Sequence, residues 1–465
     1  MKYYKNELGA FPKWLSASPL TLVVIEAFQR GLSIEVHSAD NRRGFVVRIS
    51  DGSISHDFWR PTAPLTEDSA IEICRDKWVT KQLLSEAGVS MPRGFDFSRS
   101  DSLSDVLAKA DLLQYPIVLK PARGVKGEGV VTDIPDEKSL LSLVDGVLSS
   151  PRGYSQWMVE EQIEGEEYRV LVVDGEPVSA TGRRKATVSG DGESSIRRLI
   201  KRFNKKRKKN PHLRTRLVKV DDALVRVLQV QGFSLEDVPD SGVAVRLIDP
   251  ANFSAGGVSV DCTESISRIA LEVSAKAVNA IPGLFHGGVD VIVDKSGDPY
   301  VIEINDNPAT GSHHFPAEGI GRNVSASIIE GHFPCVRGVG RHNVVFNLKR
   351  LRALVTSGQV EKITLPRVSP ETESERILAQ GDFQAGDIEA WVADRARSLR
   401  ISGSVAYQGD GALEVIAAGE PQKLAQFKEG FGTGPVDVRV DVVDVQGWER
   451  PVRLGFEVLT QSGDP

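Results

Sequence analysis

Cysteine is scarce in this chain of 465 residues, which contains only Cys74, Cys262 and Cys335. These residues are far apart in sequence, so neither a disulfide framework nor a CxxC-type zinc cluster is available. Small disulfide-stapled domains and zinc modules are therefore excluded as fold classes. We expect free thiols that are buried in the protein interior.

Long apolar runs are also absent. No stretch approaches the roughly 18 apolar residues of a membrane span, and residues 1–30 lack the pattern of a secretory signal. With 40% hydrophobic and 26% charged residues, the composition is that of globular domains and excludes a disordered chain. At about 150 residues per domain, the length predicts two or three domains. We expect a cytosolic protein with no membrane partner.

Acidic residues are missing from residues 197–219, although the whole chain carries a net charge of −6. Such a stretch is typical of a solvated helix and loop, and it would also attract an anionic acyl substrate or a polyanionic chain. Phe203 is the only aromatic residue interleaved with its basic residues, so the stacking surface that single-stranded nucleic acid needs is missing. Nucleic acid is therefore not an expected partner.

The order of helical and strand patterns divides the chain into four regions. Residues 1–65 read as a small α/β unit, residues 66–333 hold the chemical motifs, and residues 334–373 form a connector. Residues 374–465 follow the order strand, helix, strand, strand, helix, strand, which is the split βαβ arrangement of ferredoxin-like folds. The predicted fold class is a multidomain combination of α/β and α+β units.

One helix is predicted to begin at Asp68 and to end at Gly88. Ile71, Val79 and Leu83 recur at roughly helical spacing within it. Gly88 and the proline that follows four residues later are the expected stop signals.

A pair of carboxylates on a predicted β-hairpin is the most informative chemical pattern. Two strand patterns, GGVDVIV and VIEIN, flank the turn sequence DKSGDP. The simplest antiparallel register pairs Val293 with Tyr300. This register sets Asp290 directly opposite Glu303, and Asn305 shares a face with Glu303 because side chains alternate along a strand.

Two carboxylates at a cross-strand distance of about 5 Å repel each other, so something must offset that repulsion. A divalent cation would do so, and two carboxylates with one amide suit Mg²⁺ far better than zinc, with Mn²⁺ as an alternative. Because Mg²⁺ usually keeps open positions for substrate phosphates, this set implies a nucleotide. The alternative from the residues alone is a register slip that turns one carboxylate into solvent.

A glycine-rich turn follows a buried strand that ends near Lys120. Residues 123–129 (RGVKGEG) would let consecutive backbone N–H groups point at a phosphate, and Lys120 would add a positive charge. A purely structural hairpin tip explains the same glycines. The GxxxxGK[ST] motif and a strand-to-helix GxGxxG motif are both absent, which excludes P-loop and Rossmann sites.

Residues 66–333 resemble the ATP-grasp carboxylate–amine ligases, in the form that cyanophycin synthetases share with bifunctional glutathione synthetases. The matching segments follow in the expected order and are residues 70–94, 115–121, 188–200, 218–222, 249–257, 287–293 and 301–308. The resemblance implies an ATP-grasp fold that binds ATP. It also implies that an acid, activated as an acyl phosphate, is joined to an amine, both of them small molecules or peptides.

The resemblance assigns roles to residues at the matching positions. The lysines expected to bind phosphate and the glycines of a flap over it are Lys77, Lys120, Gly124, Gly127 and Gly129. The hinge residues expected to meet adenine, and the residue expected to bind the ribose, are Glu160, Glu161, Ile163 and Glu167. The residues expected near the reacting groups are Lys219, Arg183, Arg184 and His313. The expected metal ligands are Asp290, Glu303 and Asn305.

Three of these assignments keep an alternative. Lys77 is also explained as a solvated residue of its helix. One of the adjacent residues Arg183 and Arg184 is expected to lie outside the site. For His313, a satisfied structural histidine is as good an interpretation as a substrate contact.

The region before the ATP-grasp motifs is shorter than in cyanophycin synthetases, and their Mur-ligase-like half has no counterpart, so polymerisation of cyanophycin is not expected. The first hypothesis is an amide-forming ligase for amino-acid or peptide-like substrates. The second is a nucleotide-binding regulatory or scaffold protein with an inactive site, and the third is an acyl-phosphate-forming kinase. A homo-oligomer is compatible with all three.

Residues 375–460 resemble the acylphosphatases, on the strength of residues 380–386 and 399–415. Counting along that pattern, Glu389 stands where the family has its catalytic arginine, and Tyr407 where it has its water-orienting asparagine. Because a carboxylate repels the phosphate that arginine would bind, we expect a catalytically inactive domain. Packing, dimerisation and partner binding are its candidate roles, and fold likeness alone does not choose among them.

Overall fold

The computed structural model describes residues 3–6, 8–39, 44–59, 64–124, 127–149, 153–248, 257–383, 386–433 and 440–459. The chain forms two compact units, one of residues 1–61 and 328–465 and one of residues 62–327. Residues 125–126 of the glycine-rich turn lie outside the described residues. So do residues 249–256, which make up most of one segment that matches the ligases.

The elements before residue 62 are a helix and short strands. In chain order they are β1 (Tyr3–Asn6), β2 (Gly9–Pro12), α1 (Pro19–Gln29), β3 (Ser33–Ala39), β4 (Gly44–Ser50) and β5 (Ser55–Phe58). Ser18 caps α1 by accepting a hydrogen bond from the backbone N–H of Thr21.

The second unit begins with helices and then alternates strands with helices. Its elements are α2 (Asp68–Arg75), α3 (Lys77–Glu86), β6 (Gly94–Ser98), α4 (Leu103–Ala110), β7 (Ile117–Pro121), β8 (Val131–Ile134), α5 (Glu137–Ser149), β9 (Gln156–Glu161), β10 (Gly165–Val173), β11 (Glu176–Arg184), β12 (Thr187–Ser189), α6 (Ile196–Arg207), α7 (Asp222–Val230), β13 (Ala244–Arg246), β14 (Val258–Asp261), α8 (Arg268–Asn279), β15 (His286–Asp294), β16 (Pro299–Asn305) and α9 (Gly311–His314).

From residue 324 onward, a helix-rich stretch leads into an α+β domain. The elements are α10 (Val324–His332), β17 (Val344–Val345), α11 (Leu348–Thr356), β18 (Lys362–Thr364), β19 (Glu373–Gly381), α12 (Asp387–Ser398), β20 (Ser402–Gly409), β21 (Ala412–Gly419), α13 (Pro421–Thr433), β22 (Val440–Gly447), β23 (Val452–Arg453) and β24 (Phe456–Val458). The predicted order βαββαβ is present as β19-α12-β20-β21-α13-β22. Their sheet has the order β22-β19-β21-β20-β24.

Two antiparallel sheets organise the second unit, one in the order β6-β9-β7-β8 and one in the order β14-β11-β10-β15-β16. On one face of the latter sheet, Val170, Val289 and Ile304 pack in a core to which α2, α3 and α8 contribute buried residues. Because successive side chains of a strand point to opposite faces, the residues between these apolar positions lie on the other face. That other face carries the charged residues of the site described below.

The single helix predicted from Asp68 to Gly88 is wrong, because the chain forms α2 and α3 with a break at Asp76. The backbone of Asp76 is extended, and its carboxylate accepts hydrogen bonds from the backbone N–H groups of Trp78 and Val79. An aspartate in this arrangement caps a new helix. The apolar periodicity continues across the break, which is why the sequence pattern did not show it.

The stretch predicted as a connector contributes a strand of its own. Strand β18 pairs with β3, where Ile363 lies opposite Val36, and joins the sheet β18-β3-β4-β5. The division into four regions that was drawn from the sequence stays a prediction.

The cysteines are free, as predicted, but they are not all buried. Cys74 is buried, Cys262 is partly exposed and Cys335 is exposed, so the prediction of a buried thiol is wrong for Cys335. The Cys335 thiol donates to Asp51 Oδ2 at 3.3 Å, which lets it lie at the surface as a polar group. Across the described ranges, we find no helix with the length and apolar character needed to span a membrane.

Candidate active site

A row of charged and polar residues crosses one face of the sheet β14-β11-β10-β15-β16. Arg169 pairs with Asp290 in the register of β10 and β15, and Asp290 pairs with Glu303 in that of β15 and β16. On β11, Arg183 donates from Nη1 to Glu167 Oε1 at 2.5 Å. We call this set the charged row: Glu167, Arg169, Arg183, Asp290, Glu303 and Asn305.

The prediction that Asp290 lies opposite Glu303 is confirmed, but the register that led to it is wrong. Val293 pairs with Pro299, one position earlier than predicted. The register then shifts, so that Ile302 is an extra residue and the two carboxylates face each other after all. Such a β-bulge is common beside active sites, where it re-aims side chains.

Close packing on this face explains why Gly288 has no side chain. A Cβ atom at Gly288 would lie 2.8 Å from Cβ of Pro308 and 3.5 Å from Cδ of Arg169. Glycine at this position therefore leaves the space in which Arg169 extends along the sheet toward Asp290.

Asp290 is 6% exposed and binds two arginines. Arg169 donates from Nε at 2.6 Å and from Nη2 at 2.5 Å, and Arg183 Nη2 lies 3.0 Å from Asp290 Oδ1. Burial alone raises the pKa of Asp290, but the charges of Arg169 and Arg183 outweigh burial and hold the pKa below its usual value. Asp290 is therefore ionised at neutral pH, and a register slip into solvent is excluded for it.

These contacts correct the physical reason given for a metal ion. The repulsion between the carboxylates is already offset by protein cations, because the arginines bind Asp290 and Lys77 Nζ lies 3.7 Å from Glu303 Oε1. Among the residues that the structure describes, no group of three or more histidine, cysteine, aspartate or glutamate residues could hold a metal ion. Two carboxylates and the amide of Asn305 remain a donor set that suits a hard cation. The metal site stays a prediction.

A cavity of about 480 Å³ is lined by residues of both sheets of the second unit. Its size is within the range of small-molecule sites. Predicted site residues that line it are Lys77, Lys120, Gly124, Gly127, Glu160, Glu161, Ile163 and Glu303. The structure thus brings the predicted phosphate-binding lysines, the glycine-rich turn and one predicted metal ligand together at one cavity.

A buried ion-pair network fixes Lys120 at this cavity. The Glu160 carboxylate, which is 6% exposed, receives Lys120 Nζ at 2.5 Å and Lys81 Nζ at 2.9 Å. Burial raises the pKa of Glu160, but the two lysines outweigh burial and lower the pKa overall. Sequence reasoning missed Lys81. Its spacing of four residues from Lys77, which sets both on one face of α3, is the signal that would have found it.

The glycine-rich turn is connected to α3 by Lys77, whose Nζ donates to the Gly124 carbonyl oxygen at 2.9 Å. Gly127 and Gly129 both have φ of +74°, in the left-handed region that favours glycine. The turn therefore needs glycine for its backbone, whether or not a phosphate binds it. Its contact with phosphate stays a prediction.

The backbone of the predicted hinge is partly used within the protein. The N–H group of Glu161 donates to the Arg93 carbonyl at 2.9 Å, and that of Gln162 donates to the Pro116 carbonyl at 3.0 Å. Ile163, the next residue, lines the cavity. The backbone of Ile163 is accordingly the hinge position that we expect to contact an adenine ring.

Comparison with known families accounts for this arrangement. The family model of the ATP-grasp domain matches residues 74–311, half of the chain. The chain belongs to the ATP-grasp family. The acylphosphatase model matches residues 375–458. The predicted ATP-grasp fold, followed by a ferredoxin-like, acylphosphatase-like domain, is thereby confirmed.

Curated relatives share the ATP-grasp region. The cyanophycin synthetase of Geminocystis herdmanii is 33% identical over 273 residues, which are 57% of this chain and 31% of that protein. The glutathione biosynthesis bifunctional protein of Clostridium perfringens is 31% identical over 322 residues, which are 66% of this chain and 40% of that protein. The chain therefore spans between 31% and 40% of the length of these relatives.

Among solved structures, a bifunctional glutathione synthetase from Pasteurella multocida is similar to this chain. Its TM-score is 0.49 at 24% identity, and the match covers 62% of this chain and 40% of that chain.

The charged row includes Arg183 but not Arg184. Arg184 is 67% exposed and lies 3.1 Å from Glu318. Because adjacent residues of a strand point to opposite faces, only one of the two can lie on the face that carries the row. Lys219 is exposed in the loop before α7 and is not among the described residues that line the cavity.

Arg169 is the residue of the row that sequence reasoning missed. It stands two positions after Glu167 on β10, so strand alternation puts both on one face. That spacing was the available signal. It became informative only once β10 was known to pair with β15, which carries Asp290.

His313 is 1% exposed and lies beside the row. Its Nδ1 is 2.9 Å from Ser179 Oγ, and its buried Nε2 has no hydrogen-bond partner among the described residues. Burial, followed by the charge of Arg169, lowers the pKa of His313 to about 3. The ring is neutral at physiological pH, and a substrate contact through Nε2 stays a prediction.

In the acylphosphatase-like domain, Glu389 binds the backbone at the start of α12. Its carboxylate accepts from the Gly386 N–H at 2.6 Å and from the Tyr407 N–H at 3.2 Å. The side chain is 7% exposed. A protein carboxylate thus takes backbone donors next to the loop where the family resemblance expects phosphate, which supports the predicted loss of catalysis.

Proposed function

We propose that this protein is an ATP-dependent ligase that activates a carboxylate as an acyl phosphate and joins it to an amine. The observation that carries the proposal is the position of Lys77, which contacts both Gly124 of the glycine-rich turn and Glu303 of the charged row at one cavity. Membership of the ATP-grasp family supports ATP as the phosphoryl donor. The names of the relatives, a cyanophycin synthetase and a glutathione biosynthesis protein, support amino acids or peptides as substrates.

ATP is expected to lie in the cavity of about 480 Å³. The adenine would contact the backbone of Ile163, and the triphosphate would contact Lys77 and Lys120. Glu167 lies opposite Ile292, which lines the cavity, and this position supports its assignment to the ribose hydroxyls.

Asp290, Glu303 and Asn305 are the residues that would hold Mg²⁺, or Mn²⁺ in its place. When bound, the cation supplies positive charge to phosphate oxygens. Asp290 now gives its oxygens to Arg169 and Arg183. If Asp290 held the cation, the guanidinium groups of Arg169 and Arg183 would be available to an anionic substrate group.

The chemistry requires activation, because an ionised carboxylate cannot expel oxide when an amine attacks it. A carboxylate oxygen of the substrate acid attacks the γ-phosphorus of ATP. The bond between that phosphorus and the oxygen that bridges it to the β-phosphate breaks, and ADP leaves. The amine nitrogen then attacks the acyl carbon, inorganic phosphate leaves with the bonding electrons, and loss of a proton gives the amide. The chain needs to supply position and positive charge, which lysines and arginines at this site can provide.

The test is release of ADP and phosphate from ATP with a panel of candidate acids and amines, followed by mass spectrometry of the product. We expect turnover that requires both an acid and an amine. Acyl hydroxamate formed with hydroxylamine, in the absence of any amide, would indicate a kinase instead. ATP binding without acid- and amine-dependent turnover would reject the ligase and favour the regulatory or scaffold hypothesis.

A further inference from the structure

The outward side of α6 carries positive charge along its whole length. Within residues 197–209, every exposed residue is a lysine or an arginine. The opposite side of the helix is buried, because Ile196, Leu199 and Ile200 pack in a core cluster with residues of α7 and β13. We call the exposed side of residues 197–209 the basic face.

Only part of this charge is neutralised within the protein. Arg197 Nη2 lies 2.8 Å from Glu236 Oε1, and Arg202 Nη1 lies 2.6 Å from Asp191 Oδ2. The other exposed cations have no carboxylate within ion-pair distance in the part of the chain that the structure describes, and they are Arg198, Lys201, Lys205, Lys206, Lys208 and Lys209.

This arrangement opposes the stability of the helix. Residues four apart are neighbours on a helix surface, so Arg198 with Arg202, and Lys201 with Lys205, are destabilising pairs of like charge. Arg197 and Arg198 also lie in the first turn, which has no acidic residue and where the helix dipole disfavours cations. A surface with charges of both signs would keep the protein soluble without this repulsion. An anionic partner would offset the repulsion, whereas solubility alone does not require it.

A loop segment extends the basic face beside α6. Asn204 donates from Nδ2 to the Val218 carbonyl at 2.9 Å, and its Oδ1 accepts from the Val218 N–H at 3.0 Å. The next two residues, Lys219 and Val220, are exposed, Val220 by 48%. Lys201, three residues before Asn204, is its neighbour on the helix surface. Lys219 thus adds a charge, and Val220 an apolar side chain, at the side of the basic face.

The chemistry of the basic face distinguishes among anionic partners. A membrane surface is disfavoured, because the apolar side of α6 is packed inside the protein and cannot enter a bilayer. Nucleic acid is disfavoured because Phe203, the only Phe, Tyr or Trp of residues 197–220, packs against the core and offers no stacking surface. Lysines outnumber arginines among the unneutralised cations, and they lack the planar fork with which arginine binds phosphate. A polypeptide has carboxylates for the lysines and apolar side chains that can cover Val220.

The spacing of the cations matches an extended polypeptide. Lys201 and Lys205 are about one turn apart, which is about 6 Å along the helix axis. Alternate side chains of an extended chain point to one side and are about 6.7 Å apart. An acidic residue at every second position can therefore meet successive turns of α6. The 12 residues of α6 span about 18 Å, which about six extended residues would cover.

We propose that the basic face is a docking surface for an extended acidic segment of a partner protein, in which aspartate or glutamate alternates with other residues. None of the described residues that line the cavity belongs to residues 197–209. The docking surface is thus separate from the candidate active site, and the inference goes beyond the proposed ligase function without depending on it.

The experiment measures binding by fluorescence anisotropy, with the full chain, without ATP, and with a labelled peptide of about eight residues in which glutamate alternates with serine. One variant combines Lys201→Gln with Lys205→Gln and removes two charges of the basic face. The matched control combines Arg268→Gln with Lys295→Gln, which removes two charges that are 90% and 84% exposed elsewhere in the same unit.

We expect the wild type to bind the peptide and not a peptide in which glutamine replaces glutamate. The Lys201 and Lys205 variant should bind about 3- to 30-fold more weakly, the usual value of two exposed ion pairs, and the control should lose less than about twofold. Circular dichroism should show an unchanged fold in both variants, because the changed side chains are exposed and the first variant relieves repulsion within α6.

The outcomes decide the inference apart from the proposed function. Equal affinities in the two variants, or no binding by the wild type at millimolar peptide, overturn the docking surface. Tighter binding of an oligothymidylate, or of phosphatidylserine vesicles, than of the peptide assigns the basic face to another class of partner and also overturns the inference. Each of these results leaves the ligase standing, since ATP is absent from the measurement and phosphate release tests the ligase separately.

Discussion

The cavity of the ATP-grasp domain and the start of α12 in the acylphosphatase-like domain both have hydrogen-bond donors that could bind an anion. The two places differ in whether a protein carboxylate already occupies those donors. At the cavity of the ATP-grasp domain, Glu160 holds Lys120 in place, yet Lys120 still lines a cavity of about 480 Å³. At the start of α12, the carboxylate of Glu389 takes the backbone N–H groups of Gly386 and Tyr407. A family fold is present in both places. Among the described residues, the donors of the first place line a cavity, whereas the backbone donors of the second are bound by a protein carboxylate.

The largest effect should come from Glu303→Gln, which tests whether the cavity is a catalytic site at all. Loss of this charge at the predicted metal site should lower turnover by on the order of 100-fold or more, as removal of one electrostatic contact in an active site typically does. Phosphate release measures the loss, and circular dichroism checks the fold. Glu318→Gln, which changes an exposed carboxylate paired with Arg184, is the control. Unchanged activity in Glu303→Gln would contradict the metal assignment.

A sharper comparison uses the adjacent residues Arg183 and Arg184. Arg183→Gln should lower kcat/KM by about 10- to 100-fold, because it removes a cation from the charged row. Arg184→Gln should change kcat/KM by less than about twofold, since exposed ion pairs contribute about 0–1 kcal/mol. Equal losses in both variants would mean that the row does not define the site.

Acidic pH should lower the stability of the ATP-grasp domain, because Glu160 loses its charge there. The pKa of Glu160 in the folded protein lies below the value of 4.5 of an ordinary glutamate. Its ionisation therefore adds stability that is complete above pH 4.5 and is lost as the pH falls through the lowered folded value.

We expect the free energy of unfolding, measured with denaturant between pH 6 and pH 3, to fall less steeply in Glu160→Gln than in the wild type. Glu361→Gln, which changes an exposed carboxylate in another part of the chain, is the control and should keep the wild-type slope. Identical slopes in Glu160→Gln and the wild type would contradict the ion-pair network of Lys81, Glu160 and Lys120.

The smallest effect is expected in the acylphosphatase-like domain. Glu389→Ala removes the acceptor of the Gly386 N–H at the start of α12 and should destabilise the protein by about 0.5–2 kcal/mol, the usual value of an N-terminal cap. Ligase turnover at moderate temperature should not change. A large loss of turnover in Glu389→Ala would instead link this domain to catalysis. It would contradict the conclusion that the ATP-grasp site works without the acylphosphatase-like domain.

Much of the fold followed from the sequence because strand and helix patterns are local. The hairpin at Asp174 shows this, since Val173 pairs with Glu176 across the expected two-residue turn. The break at Asp76 was missed because an N-cap aspartate can lie inside an apolar period without disturbing it. The bulge at Ile302 was missed because it inserts one residue that no local pattern marks.

The site was predictable where one strand pair carries it and unpredictable where distant segments meet. Alternation with a period of two residues set Asp290 and Glu303 on one face of their hairpin from the sequence alone. Which cations neutralise them was decided by the tertiary structure, because Arg169 is 121 positions before Asp290 and reaches it only through the pairing of β10 with β15. A sequence states which charges exist, whereas the distances between them, and hence their interaction energies, are fixed only when the sheet forms.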